Sequence, residues 1–261
     1  MVAMPPALVW IGTFCVGAVV GSFASVCISR LPRRESIVWP GSRCPRCAAP
    51  IRWYDNIPIL SFVALRGRCR HCGAAISARY PLLEALMGVL FLQTVALFGP
   101  GIHALRALVL ETLLVIVFFV DLDHRIIPNA ITYPGVAFGI LSAAPGGWGA
   151  IATSGLTAVA LGGVLLLVSI VGSAMAGAEA MGLGDVKLAA MIGAFLGWPL
   201  GALAIMLGIF VGGVVGIVLL ATRTRGRRDY VPFGPMLVGG ALLALWWGPN
   251  IVRWYVSRVT G

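Results

Sequence analysis

Long apolar runs separated by short polar or glycine-proline segments dominate the 261-residue chain. The first, Ala7 to Ile28, predicts a membrane helix. It lacks the positive leading region and small-residue cleavage pattern of a removable signal peptide, so it is expected to stay in the protein. Further spans are predicted near 82 to 98, 103 to 120, 128 to 144 and 151 to 172, lengths suited to about 30 Å of hydrocarbon. Gly99-Pro100-Gly101 and Pro145-Gly146-Gly147 supply turns between them. Val186 to Thr222 would make about 55 Å of unbroken helix, too long for one crossing. Gly197-Trp198-Pro199 is expected to divide it into a short sixth span, also compatible with a re-entrant segment, and a seventh ending before Arg223. An eighth is placed from about Val231 to Trp247.

Composition agrees with that pattern: 59% of residues are hydrophobic and 11% charged, a balance that excludes an ordinary soluble domain. The expected fold is an all-α polytopic membrane protein of about eight transmembrane helices in a lipid bilayer. A net charge of +10 raises the question of nucleic acid. The arginines lie in loops, however, without a basic helix or an aromatic strand, so no nucleic-acid partner is expected. Membrane topology accounts for them instead, since Lys and Arg favour cytoplasmic loops. With the N-terminus outside, the cytoplasmic side receives ten arginines between Arg30 and Arg79, then Arg125, Lys187, Arg223, Arg225, Arg227 and Arg228. Only Arg106, Arg253 and Arg258 fall on the other side. The domains expected are a first transmembrane helix (1–29), a cytoplasmic loop domain (30–80) and a transmembrane region carrying the chemistry (81–261).

The loop from Arg30 to Tyr80 contains Cys44-Pro45-Arg46-Cys47 and Cys69-Arg70-His71-Cys72. Two C-x-x-C knuckles separated by 21 residues predict a four-thiolate structural zinc site. About fifty residues with few apolar ones need such a staple, and disulfides do not suit a reducing cytoplasm. Four unligated thiols and a redox dithiol are the competing readings; the latter needs one reactive knuckle rather than two matched ones. His71 is an available but unneeded ligand. Cys15 and Cys27, within the first span, are read as packing residues.

Two acidic stretches stand where apolar runs stop: Val120-Asp121-Leu122-Asp123-His124-Arg125-Ile126-Ile127-Pro128-Asn129 and Gly182-Leu183-Gly184-Asp185-Val186-Lys187. Singly, Asp121 reads equally well as a helix-end charge and Asp185 as the N-cap of the sixth span. Together they are predicted to emerge at one membrane face, and Gly182 and Gly184 allow a peptide to approach closely. Two neighbouring carboxylates hold one proton between them, so one serves as base and the other as acid. The ionised member takes a proton from water while its partner polarises a peptide carbonyl, the chemistry of an aspartic protease.

The chain resembles the bacterial type IV prepilin peptidases over nearly its whole length. The resemblance rests on G-S-F-A-S-V-C-I-S-R-L-P at 21 to 32, both cysteine knuckles, W-Y-D-N-I-P at 53 to 58 and I-S-A-R-Y-P-L-L-E at 76 to 84. It continues through D-L-D-H-R-I-I-P-N at 121 to 129, E-A-M-G-L-G-D-V-K at 179 to 187 and V-P-F-G-P at 231 to 235. It implies that Asp121 and Asp185 are catalytic, the latter in a G-x-G-D motif. It also implies that prepilins and pseudopilins of pilus and type II secretion systems are cut after a glycine at the cytoplasmic face of the bacterial inner membrane. N-methylation of the new terminus with S-adenosyl-L-methionine is implied by resemblance alone, and no residue is assigned to it.

Among supporting groups, Asp123 either supports Asp121 by hydrogen bonding or repulsion or, since its two-residue offset points it to another helix face, is a surface charge. Lys187 is either a neighbour that acts on Asp185 or substrate, or a snorkelling lysine. Glu84 is expected to pair with Arg79, and Glu111 to face a polar interior. Glu179, Asp55, Asn56 and Asp229 are candidates for positioning a loop or meeting a basic leader. Gly208, Gly212 and Gly216 predict close helix packing. Val231 to Pro235 is expected to form a bent, non-helical wall beside the aspartates. A proton-coupled transporter is the alternative function, opposed by the absence of a repeated half or matched mid-span acids. A structural zinc-bearing membrane subunit is the third reading, in which the aspartates would be replaceable.

Overall fold

The computed structural model describes residues 7–176, 181–222 and 232–259; Glu179, Asp229, Val231 and the basic run from Arg223 to Arg228 lie outside them. Among the described residues the fold is all-α, with two isolated β-bridges. Its helices are α1 (Ala7–Arg30), α2 (Leu60–Ala64), α3 (Arg79–Phe98), α4 (Ile102–His124), α5 (Asn129–Leu141), α6 (Gly147–Ala176), α7 (Leu183–Leu196), α8 (Leu200–Ala221) and α9 (Gly234–Val259). Among the described residues, five segments are long and apolar enough to cross a membrane: Ala7–Arg33, Arg79–Phe98, Asn129–Met175, Leu200–Val218 and Gly234–Val259. The third takes in both α5 and α6, and the five include neither α4 nor α7.

The chain divides into two compact units, Met1–Leu108 and Val109–Gly261. In the first, α1 and α3 pack antiparallel at close range. A Cβ on Gly17 would lie 2.6 Å from the Met87 carbonyl, and one on Gly21 would lie 2.8 Å from the Glu84 Cα. Small residues permit this approach, which compensates for the weak drive of helix association in lipid. The connection between them holds two short 3-10 turns, Leu31–Arg33 and Trp53–Asn56, the helix α2 and both cysteine knuckles. Cys27 is buried as expected, whereas Cys15 is exposed on the surface of α1, so only Cys27 serves packing.

In the second unit the short helix α7 is the most enclosed element, packed on α5, α6, α8 and α9. Leu188, Ala189, Met191, Ile192 and Ala194 are all fully buried. Gly139 of α5 meets Ala194, and a Cβ on Gly193 would lie 2.8 Å from the Thr157 carbonyl of α6. The hydroxyl of Ser154 donates to the Ala194 carbonyl at 2.6 Å. The break at 197 to 199 is found where predicted, with Gly197 at φ 65° ending α7.

Of the three glycines expected to bring helices together, Gly208 approaches Leu237 and Gly212 approaches Phe233, but Gly216 has open space around it. Helix α9 corrects the boundary predicted for it: it runs on to Val259 with Pro249 inside, well past Trp247. It also begins within the stretch expected to be a non-helical wall. Gly234 and Pro235 are its first residues, because a proline lacks only an N–H that the first turn does not use.

Candidate active site and cysteine cluster

Asp121 lies in the last turn of α4 and Asp185 in the first turn of α7, and each is only 4% exposed. Their carboxylates are near enough for the charge of Asp121 to act on Asp185. Asp185 is not the helix cap. Gly182 holds that position with extended backbone, and the Asp185 side chain stands three residues further on, where it reaches back to the backbone of the capping residue. The backbone of Gly182 hydrogen-bonds to Asp185, and the backbone of Gly234 does the same for Asp121.

Two further contacts shape the surroundings of the aspartates. A Cβ on Gly234 would lie 2.6 Å from Asp121 Oδ2, so the start of α9 is moulded around that carboxylate. Ile127 stands between the two acidic stretches: its side chain would meet a Cβ on Gly184 at 3.0 Å and one on Gly234 at 3.3 Å. The apolar side chain thus links the loop after α4, the first turn of α7 and the first turn of α9. The only advance signal was its place in the Asp121 to Asn129 motif.

Asp123 is exposed, on a face other than the buried one of Asp121, as the two-residue offset predicts. Lys187 is held by α5 rather than snorkelling freely. Its Nζ donates to Asn129 Oδ1 at 2.8 Å and lies 5.4 Å from the centre of the Tyr133 ring, tying α7 to α5. Glu111 is fully buried on α4 and accepts a 2.8 Å bond from the Trp246 indole, as its expected polar surroundings require.

In the first unit the four cysteines converge, with all Sγ atoms within 4.8 Å of one another. Cys44 and Cys72 are separated by 3.9 Å. A tetrahedron of 2.3 Å zinc–sulfur bonds requires sulfurs about 3.8 Å apart, so the cluster fits zinc. The two knuckles have the same backbone construction. Cys44 N–H bonds to the Ala49 carbonyl and Ala48 N–H to the Cys44 carbonyl; Cys69 N–H bonds to the Ala74 carbonyl and Gly73 N–H to the Cys69 carbonyl. Ala48 and Gly73 occupy matching left-handed positions, at φ 57° and 66°. Backbone N–H groups of Cys47 and Arg46 bring the Cys44 thiol down to about 6, favouring the thiolate that binds metal. Arg70, inside the second knuckle, pairs with Asp55 at 2.6 Å and keeps its carboxyl below the usual range. Asp55 is therefore part of the knuckle's scaffold.

Comparison with known proteins places both units. Residues 15–98 match the model of the bacterial peptidase A24 N-terminal domain, and residues 108–217 match that of the type IV leader peptidase family. A prepilin leader peptidase/N-methyltransferase of Aeromonas salmonicida is 37% identical, over 94% of this chain and 93% of its own length. The Myxococcus xanthus protein of the same description is 46% identical over 82% of this chain and 64% of its own length. That of Pseudomonas aeruginosa is 34% identical over 94% and 92%. No solved structure matches the chain.

Proposed function

The chain belongs to the type IV leader peptidase family, and from that membership we propose that it is a prepilin leader peptidase and N-methyltransferase of the bacterial inner membrane in which Asp121 and Asp185 perform the cleavage. What supports this assignment of residues is that two buried carboxylates from different helices lie close enough for the charge of one to act on the other. One carboxylate, ionised, takes a proton from water as it attacks the scissile carbonyl; the other, protonated, hydrogen-bonds to the carbonyl oxygen. When the tetrahedral carbon collapses, the acid and base exchange roles and the amine leaves with a proton. Gly182 gives an extended peptide access to Asp185, Gly184 makes room for Ile127 beside it, and Gly234 supplies a backbone dipole that orients Asp121.

The proposed topology has about eight membrane helices, with α4 and α7 completing the set. It puts the aspartates at the cytoplasmic face, where the basic loops lie. Substrates are prepilins and pseudopilins of pilus or type II secretion systems, cut after a glycine. The 30–80 segment forms a zinc-stapled loop domain in which Cys44, Cys47, Cys69 and Cys72 hold the ion. Zinc supplies folding energy there by fixing a loop with little core of its own. S-adenosyl-L-methionine is the methyl donor.

The assignment is tested by presenting purified protein in detergent with a prepilin-like substrate and reading the product's N-terminus by mass spectrometry. The expected product begins after the leader glycine and gains one methyl when S-adenosyl-L-methionine is added. An uncut substrate, with the protein folded, would contradict the proposal.

A further inference from the structure

The first unit contains a cavity of about 1200 Å³ whose walls run from α1 through the cysteine-stapled loop to the start of α3. The aspartate pair of the second unit plays no part in it. Ordinary small-molecule sites span about 300–1,000 Å³, so this one has room for a small ligand and the end of a peptide together.

Its acidic residues are not equivalent. Glu35 is exposed, and Asp55 is neutralised by Arg70. Glu84, at 7% exposure, is buried, and its partners are the N–H of Ile59 at 2.7 Å and the hydroxyl of Ser22. Neither is a cation, and a buried carboxylate held only by neutral donors favours a positive ligand beside it. The Ile59 contact is made under strain. Ile59 has φ 61° and ψ −50°, and Leu60 N–H bonds across it to the Pro58 carbonyl, which makes a left-handed γ-turn. A β-branched residue in that region is disfavoured by about 1–3 kcal/mol, and such backbone strain concentrates at ligand sites.

The rest of the wall mixes apolar side chains such as Phe62, Leu65 and Ile76 with the guanidinium groups of Arg30, Arg43, Arg46 and Arg70, the last already paired with Asp55, so Glu84 is the one buried acid in a basic surrounding. Trp39 is 77% exposed and offers a ring face. The turn carrying it is fixed by Ser36 Oγ, which accepts the N–H groups of Val38 and Trp39, and by Arg30, which donates to the Ser36 carbonyl at 2.9 Å. Arg33 adds a guanidinium to the same wall.

We propose that this cavity is the binding site for the cationic adenosyl donor of the methylation reaction, with Glu84 facing its sulfonium, Trp39 stacking on the purine and Arg33 holding its carboxylate. This rests on the methyltransferase reading above and adds to it a place and a set of residues. The remaining space receives the amino end of the cleaved substrate. The amine lone pair forms the new N–C bond as the methyl–sulfur bond breaks. Both electrons of that bond stay on sulfur, which leaves as a neutral thioether, and the proton displaced from nitrogen passes to water. Glu84 acts by binding charge rather than by taking that proton.

The test is calorimetric titration of the full-length zinc-loaded protein in detergent with S-adenosyl-L-methionine and, separately, with the neutral S-adenosylhomocysteine. The wild type is expected to favour the cationic donor. Glu84→Gln is expected to weaken that donor by about tenfold or more, the size of a lost charge-assisted contact, and the neutral product by less than about threefold. A merely structural role for Glu84 would weaken both equally, and that result would overturn its assignment. Ser29→Trp, which fills the cavity from an exposed position on α1, is expected to weaken both ligands. It also decides the matter should Glu84→Gln fail to fold, as judged by zinc content and thermal melting. If the wild type binds donor and Ser29→Trp binds it equally well, the donor site lies elsewhere. If the wild type neither binds donor nor methylates a pre-cleaved substrate, the methyltransferase reading itself falls, and this site with it.

Discussion

Asp121 Oδ2 lies 2.6 Å from the point where a side chain on Gly234 would begin, so the catalytic proposal depends on a residue that carries no chemistry. Adding one methyl there pushes the carboxylate off its position or displaces the first turn of α9. Displacements near 1 Å in a catalytic geometry cost about 100-fold in rate. Gly234→Ala is therefore expected to lower cleavage by about that factor or more while the protein still folds and binds zinc. Single-turnover cleavage rates measure this, and a rate within a few-fold of wild type would detach Gly234 from the site.

Lys187 and Asn129 are predicted to act as one unit. Their 2.8 Å bond ties the first turn of α7, which carries Asp185, to the N-terminus of α5. Lys187→Met and Asn129→Ala should each slow cleavage by about tenfold, and the double variant should be no slower than either single one. Additive losses in that cycle would show that the two side chains work separately.

Cleavage should follow a bell-shaped pH profile. The mechanism needs one member of the pair ionised and the other protonated, so the rate falls on the acid side as the base gains its proton and on the alkaline side as the acid loses its own. Replacing either aspartate by asparagine should remove the profile along with the activity. A rate that rose steadily with pH would point to a different nucleophile-activating group.

The two cysteine knuckles make opposite predictions about the same backbone position. Ala48 sits at φ 57°, where glycine is at ease and alanine is strained, while Gly73 already meets that need at φ 66°. Ala48→Gly is expected to stabilise the zinc-bound loop by up to about 1 kcal/mol, and Gly73→Ala to destabilise it by about 1–2 kcal/mol. Zinc-chelator competition on the purified protein would show both shifts, and equal responses at the two positions would refute the proposed equivalence of the knuckles. The same preparation should carry one zinc per chain, lost in Cys69→Ser.

What the sequence revealed and what it concealed follow a physical division. Apolar runs, the glycine-proline break after Leu196 and the paired C-x-x-C spacing are local signals, and the corresponding helices, the end of α7 and the cysteine cluster are where they pointed. The acids at 121 and 185 stood out for a similar reason, since a carboxylate beside an apolar run is costly. Relations between distant segments left no such trace. Nothing local marks Ile127 as the residue wedged against both Gly184 and Gly234, or Asn129 as the acceptor for Lys187. Glu84 was expected to pair with a nearby arginine, yet it takes the N–H of a strained turn 25 residues earlier. That turn contains isoleucine where a glycine would have signalled it. The N-cap expected at Asp185 fell to Gly182 because glycine with extended backbone begins α7 one turn earlier than the acid suggested.

Everything proposed for cleavage depends on Asp121 and Asp185 forming one catalytic pair. The most direct measurement is leader cleavage by purified wild type, Asp121→Asn and Asp185→Asn, with methylation of a pre-cleaved substrate followed in parallel. Asparagine keeps the shape of the side chain and removes its ionisable proton. Each single change is expected to abolish cleavage, leave methylation in place and leave the melting profile intact. Cleavage at wild-type rates by both variants would contradict it, and the two carboxylates would then be no more than buried helix-end charges.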